Sequence, residues 1–307
     1  MTDPQIDVKF LFLVGPIGAG KTTMLNRMTK CKTDVIEKLF RAENTSIRTG
    51  RSEKTFHTGW CRNQDEFNVS STELLVVPED PTRWVDENGV QLLDLMRVDA
   101  KKYAAKLQTA ILHDRVKSAT DAVVEALKTV PKGTKTLLVV AEGVISVDYL
   151  VYAQACRDHN LITDDEWLDY TNIYKKYRGY DSQNAWFEEI KKQCDTVGEV
   201  CTLGTLHLAT PVDNAIARVV SRGRECEQTL PKDYFYDIAD RHFQFFDQFP
   251  TSDINLLSVC ATRRCLRHCR LNSIKDILLF TTVHRNSSND DNVCIRSRQR
   301  SAHRVVN

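Results

Sequence analysis

The stretch GPIGAGKT, residues 15–22, matches the phosphate-loop pattern G-x-x-x-x-G-K-[ST] at every fixed position. An apolar run of strand length, residues 8–14, precedes it, and residues 22–30 follow without Gly or Pro, which is typical of a helix. The backbone N–H groups of such a loop turn inward around an anion, and the N-terminus of the next helix adds partial positive charge. The stretch therefore predicts a nucleoside triphosphate site, and an ordinary Gly-rich turn is the alternative.

The residue types of this loop indicate which groups bind the phosphates. The Lys21 ammonium would reach the β- and γ-phosphates, and the Thr22 hydroxyl would bind Mg²⁺. The expected nucleotide contacts are Gly15, Gly18, Ala19, Gly20, Lys21, Thr22 and Thr23.

The composition restricts the class of protein. The net charge of +1 over 307 residues creates no overall field toward nucleic acid or a membrane, and no apolar stretch has the roughly 18 residues of a membrane span. The ten cysteines are scattered, and no secretory signal precedes the first strand. We therefore expect a cytoplasmic protein without nucleic-acid or membrane partners, and leave nuclear and mitochondrial locations open.

Strands that alternate with helices along the chain predict an α/β fold. Apolar runs indicate strands at residues 8–14, 73–77, 136–141 and 200–208, with 274–283 as a candidate fifth. Helices are expected at residues 90–96, 100–128, 146–158, 164–178, 184–192, 211–220 and 231–249. This alternation implies right-handed βαβ units around a parallel sheet.

Two segments depart from the alternation. Residues 31–71 are expected to form a helix followed by an irregular excursion, and residues 251–307 a basic, Cys-containing extension after a domain over 1–250. The spacing of Cys260, Cys265, His268 and Cys269 suggests a zinc site, but no second CxxC pair supports it, and free thiols are the preferred interpretation.

Three further segments carry a resemblance to a known family. Glu79 ends the second strand and Trp84 follows; then come residues 88–108, containing NGVQLLDLM and DAKKYAAKLQ, and much later residues 218–227, RVVSRGRECE. In this order the chain resembles, over residues 8–249, the deoxynucleoside kinases, which include deoxycytidine, deoxyguanosine and insect multisubstrate kinases.

The resemblance implies a fold, an activity and an assembly. The fold is a three-layer P-loop kinase fold, with a parallel five-stranded sheet flanked by helices. The activity is ATP-dependent phosphorylation of a deoxynucleoside 5′-hydroxyl, giving dNMP and ADP, with ATP and Mg²⁺ as cofactors. The assembly is a homodimer through long helices.

The resemblance also implies a catalytic centre. Glu79 would accept the proton of the 5′-hydroxyl, at the strand ends where open α/β sheets bind ligands. Lys21 would act beside it, on the phosphates. Arg218, Arg222 and Arg224 match a mobile lid that closes over ATP, where Arg218 and Arg222 would act in catalysis and Arg222 and Arg224 would bind ATP. The alternatives are a surface acid for Glu79 and a solvated basic face for the arginines.

The nucleoside site is implied in the same way. Gln108 matches a glutamine that reads the base edge, since an amide offers both a donor and an acceptor. Trp84 and Tyr152 match aromatic positions that line and stack on the base, Met96 lies beside the sugar, and Glu227 hydrogen-bonds the 3′-hydroxyl. Core packing is the alternative for Trp84.

Arg115 and Asp148 are implied to act as a pair. Arg115 lies seven residues after Gln108, so both side chains share one face of a helix. Deoxycytidine and deoxyguanosine kinases hold an arginine and an aspartate at these positions, paired near the base. The resemblance therefore favours deoxycytidine or purine deoxynucleosides, and two unrelated surface charges are the alternative.

The chain departs from the family at several positions. The Glu-Arg-Ser after the third strand is Glu142-Gly143-Val144 here: Glu142 would still hold Mg²⁺ through water, but the arginine at the reaction centre is absent. Loss of one such donor costs about 2.7–4 kcal/mol. Arg97, which replaces the tyrosine that partners the 3′-hydroxyl, and the lid arginines are the candidates to supply the missing charge, and Asp80 replaces a proline.

Two other activities compete with this interpretation. A nucleoside monophosphate kinase would need a second phosphate site, which Gln108 and Glu227 at nucleoside-site spacing argue against. A non-catalytic nucleotide-binding subunit is favoured by Gly143 and opposed by the intact phosphate loop and Glu79.

Overall fold

The computed structural model describes residues 5–30, 32, 44–49, 52–57, 69–178, 185–228, 230–248 and 256–260. The strands in these residues are β1 (Ile6–Val14), β2 (Asn44–Thr49), β3 (Ser52–His57), β4 (Thr72–Val77), β5 (Thr136–Glu142), β6 (Val197–Ala209) and β7 (Leu256–Cys260). The helices are α1 (Lys21–Lys30), α2 (Leu92–Val98), α3 (Ala100–Thr129), α4 (Ile145–Val147), α5 (Gln154–Asp158), α6 (Asp164–Arg178), α7 (Phe187–Gln193), α8 (Val212–Arg222), α9 (Glu225–Gln228) and α10 (Lys232–Gln248). A π-helical segment, Asp148–Ala153, connects α4 to α5.

Five parallel strands form the central sheet, in the order β4-β5-β1-β6-β7. The predicted α/β class with a parallel five-stranded sheet is confirmed. Strand β1 lies in the middle of the sheet and β5 is buried along its whole length, as expected for apolar runs covered on both faces.

The strand order brings three predicted site segments to one edge of the sheet. Parallel pairing sets Leu13 of β1 against Glu142 of β5, and Ala141 of β5 against Val77 of β4. Because the strands run in the same direction, the phosphate loop after β1, Glu142 and Glu79 all lie at their carboxyl ends, where open α/β sheets bind ligands.

Alternate residues of β1 face opposite layers of the molecule. Val8, Phe10, Phe12 and Val14 belong to a core cluster shared with α3, α7 and the segment Asp148–Ala153. Leu11 and Leu13 are also buried but lie outside that cluster, and α1 contacts β4 and β5. The sheet is therefore the middle of three layers.

Helix α3 carries two of the predicted substrate residues. The Asp99 carboxylate caps its N-terminus by accepting from the Lys102 N–H at 3.1 Å. Its buried stripe has three- and four-residue spacing; from Leu112 onward it packs into the core cluster of the sheet, and nearer its N-terminus it packs against Cys156 and Trp84. The stripe is Ala104, Ala105, Leu107, Gln108, Leu112, Val116, Ala119, Thr120, Val123 and Leu127.

The structure differs from the sequence analysis in three places. Within residues 31–71, β2 and β3 form an antiparallel hairpin where an irregular excursion was expected. The expected helix over 146–158 is divided by the π-helical segment. The fifth strand is β7, which pairs with β6 and lies beyond residue 250 in the part assigned to an extension, because a run of five residues is too short to give a clear periodic signal; the candidate strand at 274–283 lies outside the described residues.

Among the described residues, none of the helices has the length and apolar character that crossing a membrane requires.

Candidate active site

The phosphate loop lies directly against α8. Gly18 has a φ of 79°, and a Cβ added to it would lie 2.4 Å from the Ala215 carbonyl oxygen. A side chain there would have to push the loop away from α8, and L-residues rarely adopt this φ. The glycine therefore permits the close approach that shapes the loop.

Lys21 folds back across the loop. Its ammonium donates to the Gly15 carbonyl oxygen at 3.0 Å and to that of Pro16 at 3.4 Å, and lies 4.0 Å from Glu142 Oε1. The side chain is only partly exposed, so its charge is held over the strand ends. Thr22, the next residue, is exposed at the first turn of α1.

Arg218 lies on α8 and contacts the loop from the side. Its Nη1 donates to the carbonyl oxygens of Ala19 at 2.9 Å and Gly18 at 3.3 Å. Helix α8 continues to Arg222, two residues beyond the helix expected over 211–220, and ends at Gly223, which has the left-handed φ of 72° that commonly terminates helices.

Glu142 and Glu79 lie side by side at the ends of β5 and β4. The Glu79 N–H donates to Glu142 Oε2 at 3.5 Å. Burial raises the pKa of Glu142, and the Lys21 ammonium opposes this shift. Glu142 therefore faces Lys21, and both glutamates line one cavity.

Arg115 joins the two strand ends to the segment after β5. Its Nε donates to Asp148 Oδ2 at 2.6 Å, and its Nη2 donates to Asp148 Oδ1 at 3.0 Å and to Glu79 Oε2 at 3.2 Å. Its Nη1 donates to the Glu142 carbonyl oxygen. The contact predicted between Arg115 and Asp148 is confirmed, and the contact with Glu79 was not anticipated.

Gln108 is buried with an unmatched acceptor. Gln108 is 4% exposed, its Nε2 lies 3.9 Å from Cys156 Sγ, and its Oε1 meets no hydrogen-bond partner among the residues that the structure describes. A buried polar atom without a partner costs free energy, so such atoms are rare unless a ligand or water satisfies them. This acceptor matches the predicted role of Gln108 toward a base edge.

Trp84 and Met96 border the same region. Trp84 is buried against Leu92 and Leu107, and it lines a cavity together with Glu79 and Arg115. Met96 packs against the cluster around Trp84 and also against the one that contains Cys156. Trp84 thus contributes both to the core and to the cavity wall.

Tyr152 reaches toward the phosphate loop. Its hydroxyl donates to the Gly15 carbonyl oxygen at 3.4 Å and lies 3.3 Å from His242 Nε2. Burial raises the pKa of Tyr152, so the hydroxyl remains protonated and available as a donor. Its ring meets the His242 ring edge-on, with the centroids 5.6 Å apart, and stacking of Tyr152 on a base stays a prediction.

Two of the three predicted lid arginines, Arg222 and Arg224, form an ion-paired lid cluster with Glu227. Glu227 accepts from Arg222 Nη2 and from Arg224 Nη1, the latter at 3.4 Å. Arg97 on α2 pairs with Glu225 on α9 at 3.4 Å. Arg97, Arg222 and Arg224 are thus each paired with a glutamate of α9, and the guanidinium that lies beside Gly143 is that of Arg115, which differs from the expectation from sequence.

Sequence reasoning missed two groups of residues around the site. Asp114 accepts from Trp84 Nε1 at 3.2 Å and pairs with Arg83 at 3.0 Å. His207 and His242 stack at 5.7 Å, and burial lowers the pKa of His207 to about 4. His207 is a polar residue within the buried part of β6, which is a weak sequence signal for a functional role. The Trp84–Asp114 contact joins residues 30 positions apart, and the sequence gives no signal for it.

The acidic groups suit a divalent ion bound partly through phosphate. No group of three His, Cys, Asp or Glu side chains able to hold a metal ion occurs in the described part of the chain. Mg²⁺ in nucleotide sites keeps several waters and uses one or two protein oxygens plus the phosphates. The buried Glu142 carboxylate, close to Lys21, and the exposed Thr22 hydroxyl fit that requirement.

Comparisons with known proteins agree with this geometry. A probable deoxycytidine kinase of Fowlpox virus (strain NVSL) is 27% identical over 180 residues, which are 59% of this chain and 64% of that protein. The match thus spans less than two thirds of the relative. The model of the Deoxynucleoside kinase family matches residues 11–275, which include the phosphate loop, Glu79, Gln108 and the lid segment, so the resemblance drawn from the motifs is confirmed. The chain belongs to the deoxynucleoside kinase family.

Proposed function

We propose that this protein transfers the γ-phosphoryl group of ATP to the 5′-hydroxyl of a deoxynucleoside, giving a deoxynucleoside monophosphate and ADP. The observation that carries the proposal is the convergence of Lys21, Glu142 and Glu79 at the ends of neighbouring strands, beside a cavity bordered by Trp84. Membership of the deoxynucleoside kinase family supports the same reaction.

Glu79 is the proposed base. Its carboxylate accepts the proton of the 5′-hydroxyl as that oxygen attacks the γ-phosphorus, and the bond to the ADP oxygen breaks in line with the attack. The Lys21 ammonium lies over the loop and stabilises negative charge on the β- and γ-phosphates. The side chain of Glu79 is 24% exposed, so it is reachable from the cavity.

ATP is the proposed donor, bound by the loop over residues 15–22 with Thr23 at its end. Mg²⁺, held by Thr22 and by Glu142 through water, would neutralise charge on the phosphates. Arg218, which already contacts the loop, keeps the loop in place from α8.

The lid cluster is proposed to change partners when ATP binds. Arg222 and Arg224 are both neutralised by Glu227, whose side chain is 13% exposed. Phosphate oxygens offer both guanidiniums a stronger forked contact than one shared carboxylate does. Release of Glu227 would free it for the sugar 3′-hydroxyl, next to Arg97.

Deoxycytidine is the first substrate to test, since the fowlpox relative is named a probable deoxycytidine kinase.

We also propose a homodimer through the long helices: α3 and α6 contact each other, and Leu168 on α6 is 58% exposed. A cytoplasmic location is proposed as well, and the free thiols of Cys156, Cys194 and Cys201 in the described part of the chain support it.

Replacing Gln108 by Leu is expected to weaken deoxynucleoside binding about 10-fold or more, because a hydrogen bond lost inside a buried site costs at least about 1–3 kcal/mol. ATP affinity should stay unchanged, and calorimetric titration measures both affinities. Gln193→Leu is the matched control, since Gln193 is exposed on α7 and its Nε2 donates to Glu189 of the same helix. Equal nucleoside affinity in the two variants would contradict the base-reading role.

The test of the proposed function is a turnover assay with ATP, Mg²⁺ and each of the four deoxynucleosides, in which dNMP is separated and quantified. We expect dNMP from at least one deoxynucleoside, at stoichiometry with ADP. Tight ATP binding without dNMP from any of the four would overturn the proposal.

A further inference from the structure

Gly143 makes room for the guanidinium of Arg115. Its φ is 80°, and an added Cβ would lie 2.3 Å from Arg115 Cζ and Nη1 and 2.8 Å from Nη2. These distances are far below van der Waals contact, so any side chain at position 143 would displace the guanidinium. The residue that departs most from the family is therefore also the one that lets Arg115 lie against the end of β5.

The protein itself uses most of the hydrogen-bond donors of Arg115. A guanidinium has five N–H groups. Nε and one Nη2 group serve Asp148, the other Nη2 group serves Glu79, and one Nη1 group serves the Glu142 carbonyl. A single N–H is left for a ligand, so Arg115 cannot make a two-pronged contact with a nucleobase unless it releases one of these partners.

The surroundings of Arg115 hold it in place and keep it charged. Its side chain is 12% exposed, and that of Asp148 is 3% exposed. Burial lowers the pKa of Arg115, but the carboxylates of Asp148 and Glu79 raise it by more, so the pKa lies above its usual value. Asp148 thus anchors one edge of a permanently charged group whose other edge contacts Glu79.

We propose that Arg115 is a positioning residue for phosphoryl transfer. Its guanidinium, which lies against Gly143, holds the Glu79 carboxylate toward the 5′-hydroxyl. Selection of the base rests on Gln108. This inference rests on the proposed function. It replaces the base-reading role that the resemblance implied for Arg115 and Asp148, and it supplies from α3 the positive charge that is missing at position 143.

The glycines of this chain offer a matched pair for the test. Gly133 has a φ of 92°, close to that of Gly143, but a Cβ added there meets nothing within 4 Å. Ala at either position carries the same backbone strain, and only Gly143→Ala moves Arg115. We expect Gly143→Ala to lower kcat about 10- to 100-fold for every deoxynucleoside that turns over, as a displacement near 1 Å does at a reacting centre. KM and the ranking of the four deoxynucleosides should stay as in Gly133→Ala.

A second variant covers the case in which Gly143→Ala fails to fold, as judged by thermal unfolding. Arg115→Lys keeps the charge but has no fork to hold Asp148 and Glu79 together, so kcat should fall for all deoxynucleosides alike. Calorimetric affinities for the four deoxynucleosides, measured without ATP, should keep their ranking.

The outcomes separate the inference from the proposed function. If the wild-type enzyme turns over, two results would overturn the positioning role alone. One is an equal kcat for Gly143→Ala and Gly133→Ala. The other is a changed nucleoside ranking in Arg115→Lys while kcat is retained. A wild type without turnover would overturn both proposals.

Discussion

Replacing Lys21 by Ala is expected to remove deoxynucleoside phosphorylation, with a loss in kcat of about 10³-fold or more. The ammonium lies 3.0 Å from the Gly15 carbonyl oxygen and 4.0 Å from Glu142, so its removal takes away a positive charge that contacts both the loop and β5. ATP binding should weaken as well, because the phosphates then meet two carboxylates without a compensating lysine. Steady-state kinetics and calorimetry with ATP measure the two effects.

The control for this variant is Lys128→Ala. Lys128 is 63% exposed near the end of α3 and pairs only weakly with Glu125, as surface ion pairs do. Its replacement should leave kcat and ATP affinity as in the wild type. Turnover by Lys21→Ala at the rate of this control would contradict the assignment of the phosphate loop.

Glu79→Gln is expected to lower kcat by about 10²–10⁴-fold, the range of general-base catalysis, while ATP affinity stays nearly constant. The amide keeps the shape of the side chain and can still accept a hydrogen bond from Arg115, but it cannot take the proton of the 5′-hydroxyl. Single-turnover kinetics at saturating ATP isolate the phosphoryl-transfer step from product release.

Glu125→Gln is the control, since Glu125 is 70% exposed and remote from the strand ends. A Glu79→Gln enzyme that retained most of its kcat would show that another group takes the proton. Glu142 would be the first alternative to test, because its carboxylate lies beside the Glu79 N–H.

The sequence was informative wherever the signal was local. The glycines and the lysine of residues 15–22 lie within one loop, and the apolar runs of β1, β4, β5 and β6 predicted four strands within a few residues of their observed ends. Glu79 follows one of these runs directly, so its place at the sheet edge follows once the strands are parallel. Helical spacing likewise placed Gln108 and Arg115 on one face of α3.

Contacts between distant segments had no such signal. The fork from Arg115 to Glu79 and Asp148 joins residues 36 and 33 positions apart, and the Tyr152–Gly15 hydrogen bond spans 137 positions. These partners meet because the order β4-β5-β1-β6-β7 places β5 between β4 and β1, and a single sequence does not specify that order.

Gly143 illustrates the difference. From sequence it is a lost arginine, and Arg97 and the lid arginines were the candidates to replace it. In the folded protein Arg97, Arg222 and Arg224 pair with Glu225 and Glu227, Arg218 contacts the phosphate loop, and Arg115 fills the space that the missing Cβ leaves. Local pattern thus determined which elements form and which residue types bear the chemistry, because propensity, periodicity and loop geometry act over a few residues. Tertiary structure alone decided which cation meets which carboxylate, because that depends on how the strands are ordered and on the volume that each side chain leaves empty.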